Sequence, residues 1–395
     1  MVKRLTSALW LRVLLAYAAT RALTFALFLI VSATQADNYW TKANPSYFDF
    51  LNIWDVEWYG KIFNHGYPSV LPVGADGTVL QNEWAFLPGF PSAVKAFAFT
   101  GLDWKYLAPI LAAIFGACFA LVAFKLFAAK LNDHQAFWAV VLFNISPASP
   151  ILQTGYAESL GLLLVALVLY FWITDRFWLT ILAMVGLAFT RPGLAAFALS
   201  FAAVWGYRFI RARMGKRAFA IIDALKLGAL SATALALNFA WPLIAALVTG
   251  RHDAYVATEL AWRAGYPFGG GGLNPILPWF SSAEYFIGGP AGQAVVILAI
   301  VGAVAIFFIP EVRQLGLDLN VFVASYFVYL LLFFFPQSSI LRILMPTFVL
   351  YGALAQVFVA WPKRWRHLSL AAMVVLQLGW LLVCWRYQAP DFSPP

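Results

Sequence analysis

Asp55 is the residue whose setting most invites chemistry. Projected at 100° per residue, a helix over 48–62 puts Phe48, Leu51, Asp55, Tyr59 and Ile62 on one face. A carboxylate in the middle of an apolar and aromatic stripe has two readings. It is a helix N-cap, with the helix starting at Val56 and Glu57 favoured by the helix dipole. Or it is a general base, its pKa raised by burial, held at a membrane face and aimed at a lipid-linked substrate. Two arginines are the next anomalies: Arg191 in Thr190-Arg191-Pro192 and Arg342 after Ser338-Ser339. An arginine within a span costs about 2.5–3.5 kcal/mol on insertion scales. Either each snorkels to headgroups, or the pair forms a phosphate clamp, since the guanidinium fork matches phosphate bidentately. Arg21 is a weaker candidate for the same cluster. Glu158, in Tyr156-Ala157-Glu158-Ser159, is a helix-start acid or a second acid at the site of Asp55. The glycine run at 269–272 lacks a strand and a lysine and is no nucleotide loop. The two cysteines and four histidines have no metal-ligand spacing, so neither a metal nor another cofactor is expected.

The elements that must position these residues are membrane helices. The chain of 395 residues is 63% hydrophobic and 11% charged, with a mean hydropathy of +0.80. Soluble domains are about 45–50% apolar and about 25% charged. That excludes a cytosolic enzyme, a secreted disulfide scaffold and a disordered chain. The net charge of +9 reads as the Lys/Arg bias that orients membrane proteins, with no nucleic-acid partner implied. Spans are expected near 10–32, 106–128, 135–150, 157–174, 219–249, 291–310, 317–336, 343–361 and 368–386. The run 178–207 is read as two short helices broken at Thr190-Arg191-Pro192-Gly193. Only then do the basic clusters at Lys3/Arg4/Arg12, Lys125/Lys130, Arg208–Arg217 and Lys363–Arg366 share one side. The expectation is an all-α polytopic protein of about eleven transmembrane helices, multi-pass in the cell membrane, with the N-terminus cytoplasmic and the C-terminus outside. The first span is too long for a typical signal-peptide core and is expected to be retained. A long outer loop, 34–105, is rich in acids and aromatics and reads as an ordered cap with amphipathic helices on the membrane surface. A second outer loop, 250–290, holds Trp262, Tyr266 and the glycine run and reads as a hinge or lid. The whole chain is taken as one membrane domain, 1–395.

These residues carry a family resemblance. Trp54-Asp55-Val56-Glu57-Trp58-Tyr59, running on to Ile62 and His65-Gly66-Tyr67-Pro68, resembles the first-loop signature of the PIG-V-like mannosyltransferases of the GT-C glycosyltransferase class. Ala85-Phe86-Leu87-Pro88 with Pro91, Tyr156-Ala157-Glu158-Ser159, Thr190-Arg191-Pro192-Gly193 and Arg342 followed by Pro346 resemble later family segments in the same order. The matches span residues 50–350. Leu87 stands where the family usually has a second Phe, and Glu57 where it has a small or variable residue. The composition, rich in Ala and Arg, is of a bacterial kind, so the family name does not supply the acceptor.

The resemblance implies a GT-C helix bundle, an extracytoplasmic active site, a polyprenyl-phosphate sugar donor (mannose) and a lipid or glycan acceptor among membrane lipids. It implies catalytic roles for Asp55 and Glu158, and substrate contacts from Arg191, Arg342, Trp54, Trp58, Tyr59, His65 and Tyr156. In the mechanism that fits, Asp55 takes a proton from an acceptor hydroxyl, which attacks the anomeric carbon with inversion. Arg191 and Arg342 stabilise the leaving phosphate, and Glu158 orients the acceptor or supports Asp55. Glu57 competes with Asp55 for the base role. The other function classes are a transporter or flippase of a lipid-linked sugar and a noncatalytic subunit of a membrane complex. Charges at the outer boundary rather than the midplane favour the enzyme.

Overall fold

Lipid offers no partners to backbone N–H and C=O groups, so a chain this apolar has to close its hydrogen bonds within helices. The computed structural model describes residues 7–215, 219–266, 268, 272, 274–388 and 393–395, and among them only isolated bridge residues (Val73 paired with Val79, and Gln388) are not helix, turn or loop. Each segment read as a span contains helix, but the helix in 135–150 stops at Asn144 and that in 317–336 at Phe333. Five helical segments are long and apolar enough to cross a membrane: Ala8–Ser32, Trp104–Ala128, Ile221–Thr249, Gly289–Phe308 and Lys363–Trp385. Four shorter apolar helices accompany them: Glu158–Ile173, Phe177–Ala188, Leu317–Phe333 and Met345–Ala360. The protein is an integral membrane protein. Lys3, Arg4, Lys216, Arg217 and most of the glycine run lie outside the described residues.

The break expected at 190–193 is present. One helix, Phe177–Ala188, ends before it and another, Leu194–Arg213, begins after it. Pro192 cannot donate to a continuing helix. Gly193 takes φ of 134°, a region that side chains with a Cβ disfavour.

The expected single helix over 48–62 is instead two, Tyr47–Leu51 and Asp55–His65. Trp54 between them has φ of 61°, a conformation costing a bulky residue on the order of 1–3 kcal/mol. Tertiary contacts override the apolar stripe. The Trp54 indole Nε1 donates to the Trp385 carbonyl at 2.7 Å, and the Asn52 amide donates to the carbonyls of Phe48 at 2.8 Å and Lys105 at 3.1 Å. Trp385 closes the π-helical turn Leu381–Trp385 that ends the helix Lys363–Trp380.

The chain divides into two compact units. The first comprises Met1–Gly66, Pro88–Tyr170 and Gln337–Pro395; the second comprises Tyr67–Leu87 and Phe171–Pro336. The outer loop 34–105 is thus shared between them, contributing helices Tyr47–Leu51, Asp55–His65 and Gly89–Lys95 to the first. That unit has an aromatic core in which the Phe119 ring lies 5.0 Å from both Phe143 and Phe348. A polar knot sits inside it. Arg21 donates to the Ser149 and Asn144 carbonyls at 2.6 Å each, and Gln377 joins Thr24 and Ser149. In the second unit Phe197 stacks on Phe322. There Tyr67, Trp84 and Trp241 lie within 5.0 Å of one another, with the Trp241 indole donating to the Trp84 carbonyl. The second outer loop supplies the helix Ala254–Ala264, whose Thr258 bonds Asn82.

Arg21 is therefore spent on main-chain carbonyls at the turn 144–149. Hydrogen bonds to a charged group contribute about 1.5–3 kcal/mol each way they are lost. Arg21→Met is expected to lower the thermal unfolding midpoint in detergent clearly, whereas Lys95→Met, at the exposed end of helix Gly89–Lys95, leaves it within about a degree or two.

Candidate active site

The site is built where three remote segments of the first unit meet: the start of helix Asp55–His65, the start of helix Glu158–Ile173 and the short helix Ile340–Ile343. Close approach of the first two depends on a missing side chain. A Cβ at Gly155 would lie 2.8 Å from the Val56 Cγ1 and 3.3 Å from the Ala108 Cβ. With only hydrogen there, Tyr156 tucks beneath Asp55, and its hydroxyl accepts a hydrogen bond from the Asp55 N–H at 3.2 Å. Tyr156 is fully buried, with its ring 5.7 Å from Trp385 and 6.5 Å from Tyr59.

One guanidinium nitrogen then joins two carboxylates. Arg342 Nη1 lies 3.2 Å from Asp55 Oδ2 and 3.0 Å from Glu158 Oε1. Its guanidinium also sits over the Tyr156 ring, 5.1 Å from the centroid. Burial works against the Arg342 charge, but Glu158 and Asp55 outweigh it and raise the arginine above its ordinary range. Burial, and then the Asp55 charge, push the Tyr156 phenol well above its ordinary value, so it stays a neutral hydroxyl.

Two carboxylates thus meet at one guanidinium nitrogen. The two acids differ in access. The Glu158 side chain is 2% exposed and that of Asp55 22%, so a reactant reaches Asp55 and not Glu158. Glu57 is turned elsewhere: its carboxylate pairs with Lys61 at 2.8 Å and accepts from the Trp40 indole at 2.8 Å. Neither reading of Asp55 as a plain N-cap describes this geometry, because Asp55 is the first residue of the helix and Trp54 occupies the cap position.

The other sequence-derived residues distribute as follows. Trp54 and Tyr59 are buried in the packing around the cluster. Trp58 is half-buried on another face, with the Lys61 ammonium 3.9 Å from its ring centroid. His65 is exposed at the far end of the helix, ten residues from Asp55, a distance of roughly 15 Å at 1.5 Å per residue. Arg191 belongs to the second unit, in the turn before Gly193, where it interacts electrostatically with Tyr329. Sequence reasoning missed Trp385, which buttresses Tyr156 and Trp54 from 331 residues away in the chain. An aromatic near a span end reads as interfacial belt, and nothing in the sequence separates it from the others.

Comparison with known proteins gives a partial match. The chain is 30% identical to human GPI alpha-1,6-mannosyltransferase 2 over 125 residues, covering 29% of this chain and 23% of that protein. It therefore spans less than a quarter of that relative's length in the match. No protein-family model matches the chain. Among solved structures, the archaeal oligosaccharyltransferase AglB from Archaeoglobus fulgidus, with an inhibitory peptide and a dolichol-phosphate, superposes at a TM-score of 0.44 with 11% identity, over 95% of this chain and 56% of that one. The same organism's oligosaccharyltransferase tethered to an acceptor peptide gives 0.42 and 13%, over 92% and 55%. At scores below 0.5 these likenesses assign neither fold nor activity.

Removing one partner of a buried ion pair typically costs about 3–5 kcal/mol, because it leaves an uncompensated charge. Arg342→Met is expected to destabilise the protein on that scale, with two carboxylates left facing each other. Adding Glu158→Gln to Arg342→Met is expected to restore part of the loss, read as the shift in unfolding midpoint of the double variant against the single.

Proposed function

We propose that the chain is a GT-C class glycosyltransferase. In this reading it moves a mannosyl residue from a polyprenyl-phosphate donor to a hydroxyl of a lipid-linked or cell-envelope glycan, on the extracytoplasmic face of the cell membrane. The observation that carries the reading is the joining of Asp55 and Glu158 by Arg342 in a partly open cluster. The partial identity to a GPI mannosyltransferase supports the sugar and the reaction class.

The proposed chemistry is one displacement. The acceptor O–H gives its proton to the Asp55 carboxylate as the oxygen bonds the anomeric carbon. The bond from that carbon to the phosphate oxygen breaks, and polyprenyl phosphate leaves with the electron pair. The leaving group is already a phosphate anion, so no general acid is required, unlike glycoside hydrolysis with its two carboxylates. Arg342 orients Asp55 and holds Glu158 beside it, and the buried Glu158 fixes Arg342 from the other side. As negative charge gathers on the phosphate, the guanidinium is also a natural electrostatic partner for it. Trp54, Tyr59 and Tyr156 shape the pocket around the base.

The test is transfer from radiolabelled polyprenyl-phosphate mannose to a membrane-lipid extract of the host, with wild type beside Asp55→Asn. A positioned base contributes about 10²–10⁴-fold, and Asp55→Asn is expected to lose that much while remaining folded, with Arg342 still paired to Glu158. Glu57→Gln, at a carboxylate turned to Lys61, is expected to keep most of the activity. An Asp55→Asn protein with full activity removes Asp55 from the chemistry. A wild type that transfers nothing but moves the labelled lipid across vesicles makes the chain a flippase.

A further inference from the structure

A second polar site lies at the other end of the second unit's helices. Phe177–Ala188 and Leu194–Arg213 meet at the Arg191 turn; at their opposite ends, with the starts of Ile221–Asn238 and Leu317–Phe333, they enclose a cavity of about 280 Å³. Eleven helical rises of about 1.5 Å separate it from that turn along Phe177–Ala188, roughly 17 Å. It is therefore a separate site.

Its charge is the informative feature. The lining carries three cations, Arg176, Arg208 and Lys226, against three carboxylates, Asp175, Asp223 and Asp318. Two pairs are closed within the protein: Lys226 reaches both oxygens of Asp175 at 3.0 and 2.9 Å, and Arg208 reaches Asp318 at 3.2 Å. Arg176 and Asp223 stand outside those two pairs. A simple anion entering would meet three carboxylates, and a simple cation three positive groups. A ligand carrying both signs a few ångströms apart meets complementary charge at each end. The anionic end fits at Arg176, which caps the amino end of the helix Phe177–Ala188, where the backbone dipoles favour negative charge. The cationic end fits at Asp223.

The surroundings say that the ligand has an apolar part. Leu227 and Leu230 line the cavity on the face of helix Ile221–Asn238 that carries Asp223. Beside it, on the same two helices, Trp178, Leu182, Ile222 and Leu225 are more than half exposed. In a membrane such rows face acyl chains. A soluble metabolite has no use for them.

We infer that this cavity binds the headgroup of an amine-bearing zwitterionic phospholipid, of the phosphatidylethanolamine class, with phosphate at Arg176, ammonium at Asp223 and chains along Leu225 and Trp178. In the orientation read from the basic clusters the lipid belongs to the cytoplasmic leaflet. The site depends on the chain being a membrane protein and not on its being a transferase.

The experiment is native mass spectrometry of the full chain in detergent, offered phosphatidylethanolamine and phosphatidylglycerol at equal concentration. Wild type is expected to retain phosphatidylethanolamine in preference. A basic side chain near a membrane surface contributes about fivefold in lipid affinity, so Arg176→Gln and Asp223→Asn are each expected to lower phosphatidylethanolamine occupancy by about that factor. Arg176→Lys is expected to recover most of it. Equal retention of both lipids, or preference for phosphatidylglycerol, overturns the proposal without reference to any variant's folding. Unchanged occupancy in well-folded Arg176→Gln and Asp223→Asn places the lipid elsewhere and also overturns it. Displacement of the lipid by millimolar inorganic phosphate would make the ligand a soluble anion and end the lipid reading.

Discussion

The Arg342 guanidinium is the contact on which the meeting of three segments of the first unit depends. It holds Asp55, 287 residues earlier, and Glu158, 184 residues earlier, through a single nitrogen. Without it two carboxylates would face each other in a weakly solvated setting, and three unrelated segments would lose their reason to meet. The rest of the neighbourhood is arranged to permit that contact. Gly155 lets the 154–157 loop approach helix Asp55–His65, Tyr156 receives the Asp55 N–H, and Trp54 takes a strained turn that brings the helix start round. The strain at Trp54 is offset by its bond to Trp385, so the last helix of the chain also serves the first loop.

Buried polar groups in this protein serve two different ends, and residue type alone does not separate them. Arg21 and Arg342 are both arginines among apolar neighbours. Arg21 donates to carbonyls at a turn and faces no carboxylate in those bonds. Arg342 faces charges, one of which is open to a reactant. The difference lies in the partner: carbonyls fix a backbone, whereas a partly exposed carboxylate beside a cation is poised to exchange a proton or accept a new neighbour. The cavity of the second unit follows the same logic, with charge left over after the internal pairs close.

Much of this was legible in the sequence because lipid makes the reading simple. The apolar runs are largely helical, and the Thr190–Gly193 break followed from the proline together with the sidedness of the basic clusters. Asp55 stood out as an acid in an apolar stripe, and Glu158 and Arg342 as charges near span ends, so the members of the cluster were visible one by one. Their pairing was not. Periodicity speaks of neighbours on one helix, and the partner of Arg342 is decided by packing between segments hundreds of residues apart. The same limit hid the kink at Trp54, where a bond to Trp385 overrides a stripe that runs through 48–62. It also hid the engagement of Glu57, which left it indistinguishable from Asp55 as a base until Lys61 and Trp40 were placed.

The central claim is that a single accessible carboxylate, oriented by Arg342, drives one displacement at a sugar carbon. The most direct measurement is the anomeric configuration of the product formed from polyprenyl-phosphate mannose, determined by NMR on the purified glycolipid. The account predicts a linkage of configuration opposite to that of the donor. A product of retained configuration would contradict it, since that requires either a covalent sugar intermediate or a second displacement that this cluster does not provide.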